Sequence, residues 1–178
     1  MSLHSWRRPD AAKSPLEGPV AILGLGDVHR GDDGLGPAVI RQLRARYLFD
    51  EDAVRIGDES APGFDFGTFF AGVRAVILIG AVHDALEGPG TLRWFRRDTF
   101  RAPGPRRALE RFGDLQDDFL LLGAVPGCLD ATTGLTPQVH AAVPLLVQGA
   151  IVELERLGVR ARQRRGAKGE AGPTQKHI

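Results

Sequence analysis

The chain has 178 residues, 43% of them hydrophobic and 25% charged, with a formal net charge of +1. These values suit one ordinary globular domain with a proper core. The lone Cys128 excludes an internal disulfide and a cysteine-based zinc site, and no stretch approaches the roughly 20 apolar residues of a membrane span.

Residues 1–18 read as a loose arm. Arg7 and Arg8 are followed by Pro9, Asp10 and Lys13 where a signal peptide needs apolar residues, so no export signal is expected and the location is read as cytoplasmic. PVAILGLG, residues 19–26, is a continuous apolar run of the kind a buried parallel strand needs. GPAVIRQLRARYLF follows with Val39, Ile40, Leu43 and Tyr47 near one helical face and with Pro37 suited to a first helical turn. Further strands are predicted at 52–57, 74–82, 91–95 and 117–126, with DESAPG, residues 58–63, as turn chemistry and FDFGTFFAG, residues 64–72, as a short helix.

The segment 133–158 predicts a closing helix with Thr136 as N-cap, Pro137 as its first residue, Gly158 at its end and a kink or restart at Pro144. A short helix is also expected from Arg106 to Phe112. Residues 159–178 carry six basic side chains against Glu170 alone, which reads as a disordered, solubilising tail without a specific nucleic-acid partner. The alternation of strands and helices predicts a single α/β domain over 19–158, with a mostly parallel, five-stranded twisted sheet and helices on both faces. In such sheets ligands bind beyond the carboxyl ends of the strands, here the loops 26–36, 57–65 and 80–90.

The first of these loops carries the densest chemistry, ILGLGDVHRGDDGLG. Gly24 and Gly26 begin a dinucleotide fingerprint, but His29 stands at the third glycine position and Asp27, Asp32 and Asp33 would face a pyrophosphate. No Walker sequence occurs. Two uses remain for carboxylates at a helix start, namely capping with dipole compensation and holding a cation. Elsewhere, Cys128 lacks an evident base and Ser60 lacks a nucleophile elbow. Trp94 and the Phe-rich stretch 64–70 read as core.

GLGDVHRGDDGLG resembles the opening loop of the hydrogenase maturation endopeptidases, in which a strand ends in Gly-x-Gly-Asn, an Asp-Asp or Asp-Glu pair follows, and then a Gly and a helix. DESAPG, VILIGAV, GPGT and LLLGAVPGCLDATTGLTPQV continue the resemblance in order, over residues 19–158. It implies a cytoplasmic peptidase that hydrolyses one peptide bond and so removes a C-terminal extension from a nickel-loaded large-subunit precursor of a nickel–iron hydrogenase. Nickel is then part of the substrate. Either the metal polarises the carbonyl or carboxylates activate water, as in aspartic-type peptidases; both are physically reasonable.

Carried over by position, the family's first nickel ligand falls on Asp33, with Asp32 beside it as a second catalytic candidate. The family's Asn falls on Asp27. Gly26, Asp27, Gly34 and Asp58 are expected along the substrate path. The family's second ligand, an Asp ending the central strand, aligns with Gly80, and the His-bearing segment that supplies the third is replaced by a shorter, Arg-rich one. His29, His83 and Asp84 are the nearest substitutes for the missing ligands. Two alternatives stand beside the peptidase, a degenerate relative that binds the large subunit as an assembly chaperone and an unrelated α/β enzyme holding a divalent metal on its acidic loop.

Overall fold

A computed structural model of the chain describes residues 18–96 and 118–164. Five strands form the main sheet: β1 (Val20–Gly24), β3 (Val54–Asp58), β4 (Ala75–Ala81), β5 (Leu92–Arg96) and β6 (Asp118–Ala124), in the order β3-β1-β4-β6-β5. The first four in that order are parallel and β5 runs antiparallel to β6 on the edge. The register sets Val20 beside Val54 and Ala75, so Gly24, Asp58 and Ala81 finish at one end of the sheet. The helix expected at 106–112 lies outside the described residues.

Continuous apolar strands need cover on both faces, and alternate side chains supply two cores. Val20, Ile22, Ile77, Ile79, Leu120 and Leu122 face one side. There α1 (Leu35–Arg46) and α3 (Pro137–Arg156) lie against the sheet and each other. Ala21, Leu23, Val76, Leu78 and Leu121 face the other, beneath Phe64, Phe66, Phe69 and Phe70 on and around the short helix α2 (Phe66–Phe70). Each such Ile or Leu contributes about 1.5–3 kcal/mol on full burial. Gly36 lets α1 start close to the sheet, since a Cβ there would overlap the carbonyls of Leu25 and Ile79.

Three expectations are corrected, and a fourth holds in position alone. The closing helix runs unbroken through Pro144 for 20 residues. Val139, Ala142 and Val143 before the proline and Leu146, Val147 and Ala150 after it all enter one core, so the helix does not restart there. The chain beyond Gly158 does not leave the body at 159. Val159 is buried, and β7 (Arg162–Gln163) pairs antiparallel with β2 (Tyr47–Leu48). The Arg164 N–H then donates to the Arg46 carbonyl, so the described chain stays on the body through Arg164. Trp94 is 66% exposed on β5 and is not core. Thr136 occupies the N-cap, but its hydroxyl makes no cap bond.

Gly158, at φ 77°, closes α3. The Val159 N–H reaches the Leu154 carbonyl and the Gly158 N–H reaches Glu155, the Schellman arrangement. Near this end Glu153, 5% exposed, accepts two hydrogen bonds from Arg96, at 3.0 and 2.7 Å, and one from Arg156 at 2.9 Å. Arg156 also bonds Asp118. Burial alone would raise the Glu153 pKa; the bonds from Arg96 and Arg156 outweigh it, and the net shift is downward.

Candidate functional site

The site loop begins where β1 ends. The Leu25 N–H donates to the Ile79 carbonyl at 2.7 Å, and Gly26 then turns the chain at φ 112°. Only glycine fits there, because a Cβ would overlap the Asp33 carbonyl. Asp27 accepts the His29 N–H on its side chain, and its own N–H donates to Asp33 Oδ2 at 3.0 Å. A 3-10 turn, Gly31–Gly34, leads into α1. The loop is thus fastened from Gly26 to the turn, with Asp33 as its keystone.

The two neighbouring aspartates differ completely. Asp32 is fully buried. Its Oδ2 accepts the N–H of Gly127 (2.7 Å), the N–H of Cys128 (3.0 Å) and the hydroxyl of Thr136 (2.9 Å), and its Oδ1 accepts the Thr136 N–H (2.6 Å). Its backbone N–H returns a bond to the Cys128 carbonyl, and the Gly31 N–H bonds Thr132. Burial raises the Asp32 pKa; the bonds from Thr136, Gly127 and Cys128 outweigh it, so the net shift is downward. With its lone pairs committed, Asp32 is not the catalytic carboxylate the sequence offered. It is a peg that fastens the 127–136 loop to the 3-10 turn. The hydroxyl missing from the α3 cap is bound here.

Asp33 is half-buried and faces a cleft of about 560 Å³ lined by Leu25, Gly26, Asp27, Asp33, Glu59 and Ser60. Oδ2 is held by the Asp27 N–H, and Oδ1 lies over Gly26. Gly26 and Asp27 line the same cleft as Asp33. Gly34 backs onto the other side of the loop. Asp58 does not line the cleft; its carboxylate accepts the Ser60 N–H at 2.9 Å and the Ser60 hydroxyl at 2.7 Å within its own turn. Glu59 and Ser60 line the cleft in its place. They belong to the loop 57–65 that the sheet rule singles out, but nothing in DESAPG ranks them above Asp58.

The substitute ligands do not converge. Asp84 accepts Arg93 Nε at 2.8 Å and the Leu86 N–H, while Arg93 also pairs with Glu87 at 2.6 Å. The β4–β5 loop is thereby folded on itself, and Asp84 is held there. His29 and His83 are exposed. Among the described residues no three His, Cys, Asp or Glu side chains are grouped to hold a metal. At Gly80 a Cβ would lie 3.2 Å from Leu25 Cβ and 3.3 Å from its carbonyl oxygen, so position 80 abuts a residue of the cleft wall.

No known family profile matches the chain. It is 30% identical over 171 residues to the hydrogenase expression/formation protein HupM of Azotobacter chroococcum mcd 1, covering 88% of this chain and 81% of that protein. It is 25% identical over 155 residues to the hydrogenase 2 maturation protease of Escherichia coli K12, covering 80% of this chain and 94% of that protein. Its fold superposes on the hydrogenase maturating endopeptidase HybD of E. coli with a TM-score of 0.69 at 24% identity, over 82% of this chain and 98% of that one.

Proposed function

Because the chain belongs to the hydrogenase maturation protease family, we propose that it removes the C-terminal extension of a nickel-loaded hydrogenase large-subunit precursor, with Asp33 as the acting carboxylate. The observation that carries this assignment is the division of labour between neighbours. Asp32 is spent on four bonds inside the fold, whereas Asp33 presents its carboxylate at an open cleft. Hydrolysis adds water across one peptide bond, its oxygen to the carbonyl carbon and a proton to the leaving nitrogen. Asp33 serves this step by taking the proton from water and delivering it to that nitrogen, or by gripping the nickel that arrives in the precursor. The Asp27 N–H fixes Oδ2, which orients the carboxylate for either task.

Nickel is substrate in this reading, and the metal's remaining ligands come from the precursor. Gly26 and Asp27 shape the path on one side, and Glu59 and Ser60 bound it on the other. The setting is cytoplasmic, in keeping with the lone thiol of Cys128. No described helix is long and apolar enough to cross a membrane. The test is to incubate the protein with nickel-loaded precursor and read the intact mass. Loss of a C-terminal peptide with wild type, and none with Asp33→Ala, supports the assignment. A stable complex with no cleavage marks a binding protein, and equal cleavage by Asp33→Ala removes Asp33 from the chemistry.

A further inference from the structure

The site loop has a second side. Asp27 and Asp33 line the cleft, while the residues next to them in sequence, Val28 and Gly34, line a separate groove of about 470 Å³ between α1 and the start of α3. The two cavities share the loop as a common wall. The groove is mostly apolar, with Ala38 and Ala45 on one flank and Leu135 and Val143 on the other. Its charge is one-sided, because Arg41 and His140 line it and no acidic residue does. Both are exposed, and among the described residues neither side chain makes a hydrogen bond or ion pair. Gln42 also lines it, and Gln42 Oε1 is the buried side-chain polar atom left without a partner among the described residues. A buried acceptor in that state costs about 1–3 kcal/mol until it meets a donor.

We propose that this groove seats the C-terminal end of the substrate chain, with Arg41 pairing with its terminal carboxylate beside His140. The inference rests on the peptidase reading above. The chemistry that recognises the occupant is general: an extension that ends a polypeptide always ends in a carboxylate, and guanidinium is the side chain suited to take one in a two-point bond. The apolar flanks suit the extension's side chains. A chain whose scissile bond lies at Asp33 reaches the groove by crossing the exposed loop tip at Val28. The site would then measure how far the cut lies from the chain's end, because carboxylate and scissile bond are gripped on opposite sides of one loop.

The test uses the full chain and a fluorescein-labelled peptide of the precursor's C-terminal extension, made once with a free carboxylate and once as the amide. Wild type should bind the free acid about tenfold tighter by anisotropy, Arg41→Glu should lose that preference, and Arg160→Glu, an exposed arginine outside the groove, should keep it. Equal binding of acid and amide by wild type overturns the proposal, as does a preference that survives in Arg41→Glu. A second copy of the chain in the groove would instead appear as concentration-dependent dimerisation abolished by Arg41→Glu, with no effect of amidation, and it also overturns the proposal. The same proteins are assayed for precursor cleavage by intact mass. Cleavage without a carboxylate preference rejects the groove alone, whereas a carboxylate preference without cleavage rejects the peptidase reading and leaves the groove standing.

Discussion

Replacing Asp32 with alanine removes the acceptor of four hydrogen bonds at 2.6–3.0 Å. Bonds to an ionised acceptor contribute about 1.5–3 kcal/mol each, but the sum overstates the loss. The 127–134 loop is largely exposed, so water can reach the Gly127 and Cys128 N–H groups, and the variant no longer buries a carboxylate. A net destabilisation of about 3 kcal/mol is expected, mainly from the Thr136 N–H and hydroxyl left without an acceptor at about 1–3 kcal/mol each. Asp32→Asn can keep its carbonyl oxygen at the Oδ2 position, serving Gly127, Cys128 and the Thr136 hydroxyl, while its NH₂ confronts the Thr136 N–H. About 2 kcal/mol is expected there. Urea unfolding at neutral pH with a shared m-value measures both, and hydrogen exchange should speed up at the Gly127, Cys128 and Thr136 amides. A cost under about 1 kcal/mol for Asp32→Ala, or equal costs for the two variants, would refute the account of Asp32 as the peg beneath the loop.

Asp33→Ala should abolish precursor cleavage while costing about 1.5 kcal/mol, the low end for the single charged backbone bond it loses; a cost equal to that of Asp32→Ala would show that Asp33 is structural. Acid should weaken the fold in a defined direction. Asp32 and Glu153 have lowered pKa values, so their stabilisation is complete above the unfolded values of about 3.9 and 4.3 and is lost as pH falls through the lower folded values. Unfolding midpoints from pH 7 downward should therefore drop steeply below about pH 4, and an Asp32→Asn/Glu153→Gln double variant should show a shallower drop; an identical slope would contradict the linkage. Gly80→Asp should cost about 1–3 kcal/mol as Leu25 yields and should tighten nickel binding in calorimetric titration, and unchanged binding would show that position 80 does not face the cleft. Gly158→Ala should lower stability by about 1 kcal/mol, because the Schellman turn holds that residue at φ 77°.

The sheet was legible because its strands are buried on both faces, so VAILG and AVILIGA carry no polar interruption. The place of the Asp-Asp pair beyond the carboxyl end of β1 was legible, and the resemblance already set Asp33 first; the bonds that hold Asp32 were not. Asp32 and Asp33 are equivalent as letters, and what separates them is contact with Gly127 and Thr136, far along the chain. No local pattern encodes that. Trp94 misled for a similar reason: its strand is the antiparallel edge, where one face stays open. Pro144 followed local propensity until a core on both sides overrode it. The β7 segment, Arg162–Gln163, is too short and too basic to read as a strand at all; its pairing with Tyr47–Leu48 is set by where α3 ends.

The peg at Asp32 also orders events in time. Its partners lie 95 to 104 residues downstream, so the loop bearing Asp33 is not fastened until the chain through Thr136 has been made and α3 has docked. A nascent chain that has extruded β1, α1 and β4 carries every atom of Asp33 but lacks its setting. Competence in the proposed reaction would thus arrive late, with the C-terminal helix, and a chain truncated before residue 127 should lack both the partners of Asp32 and the cover that α3 gives one face of the sheet.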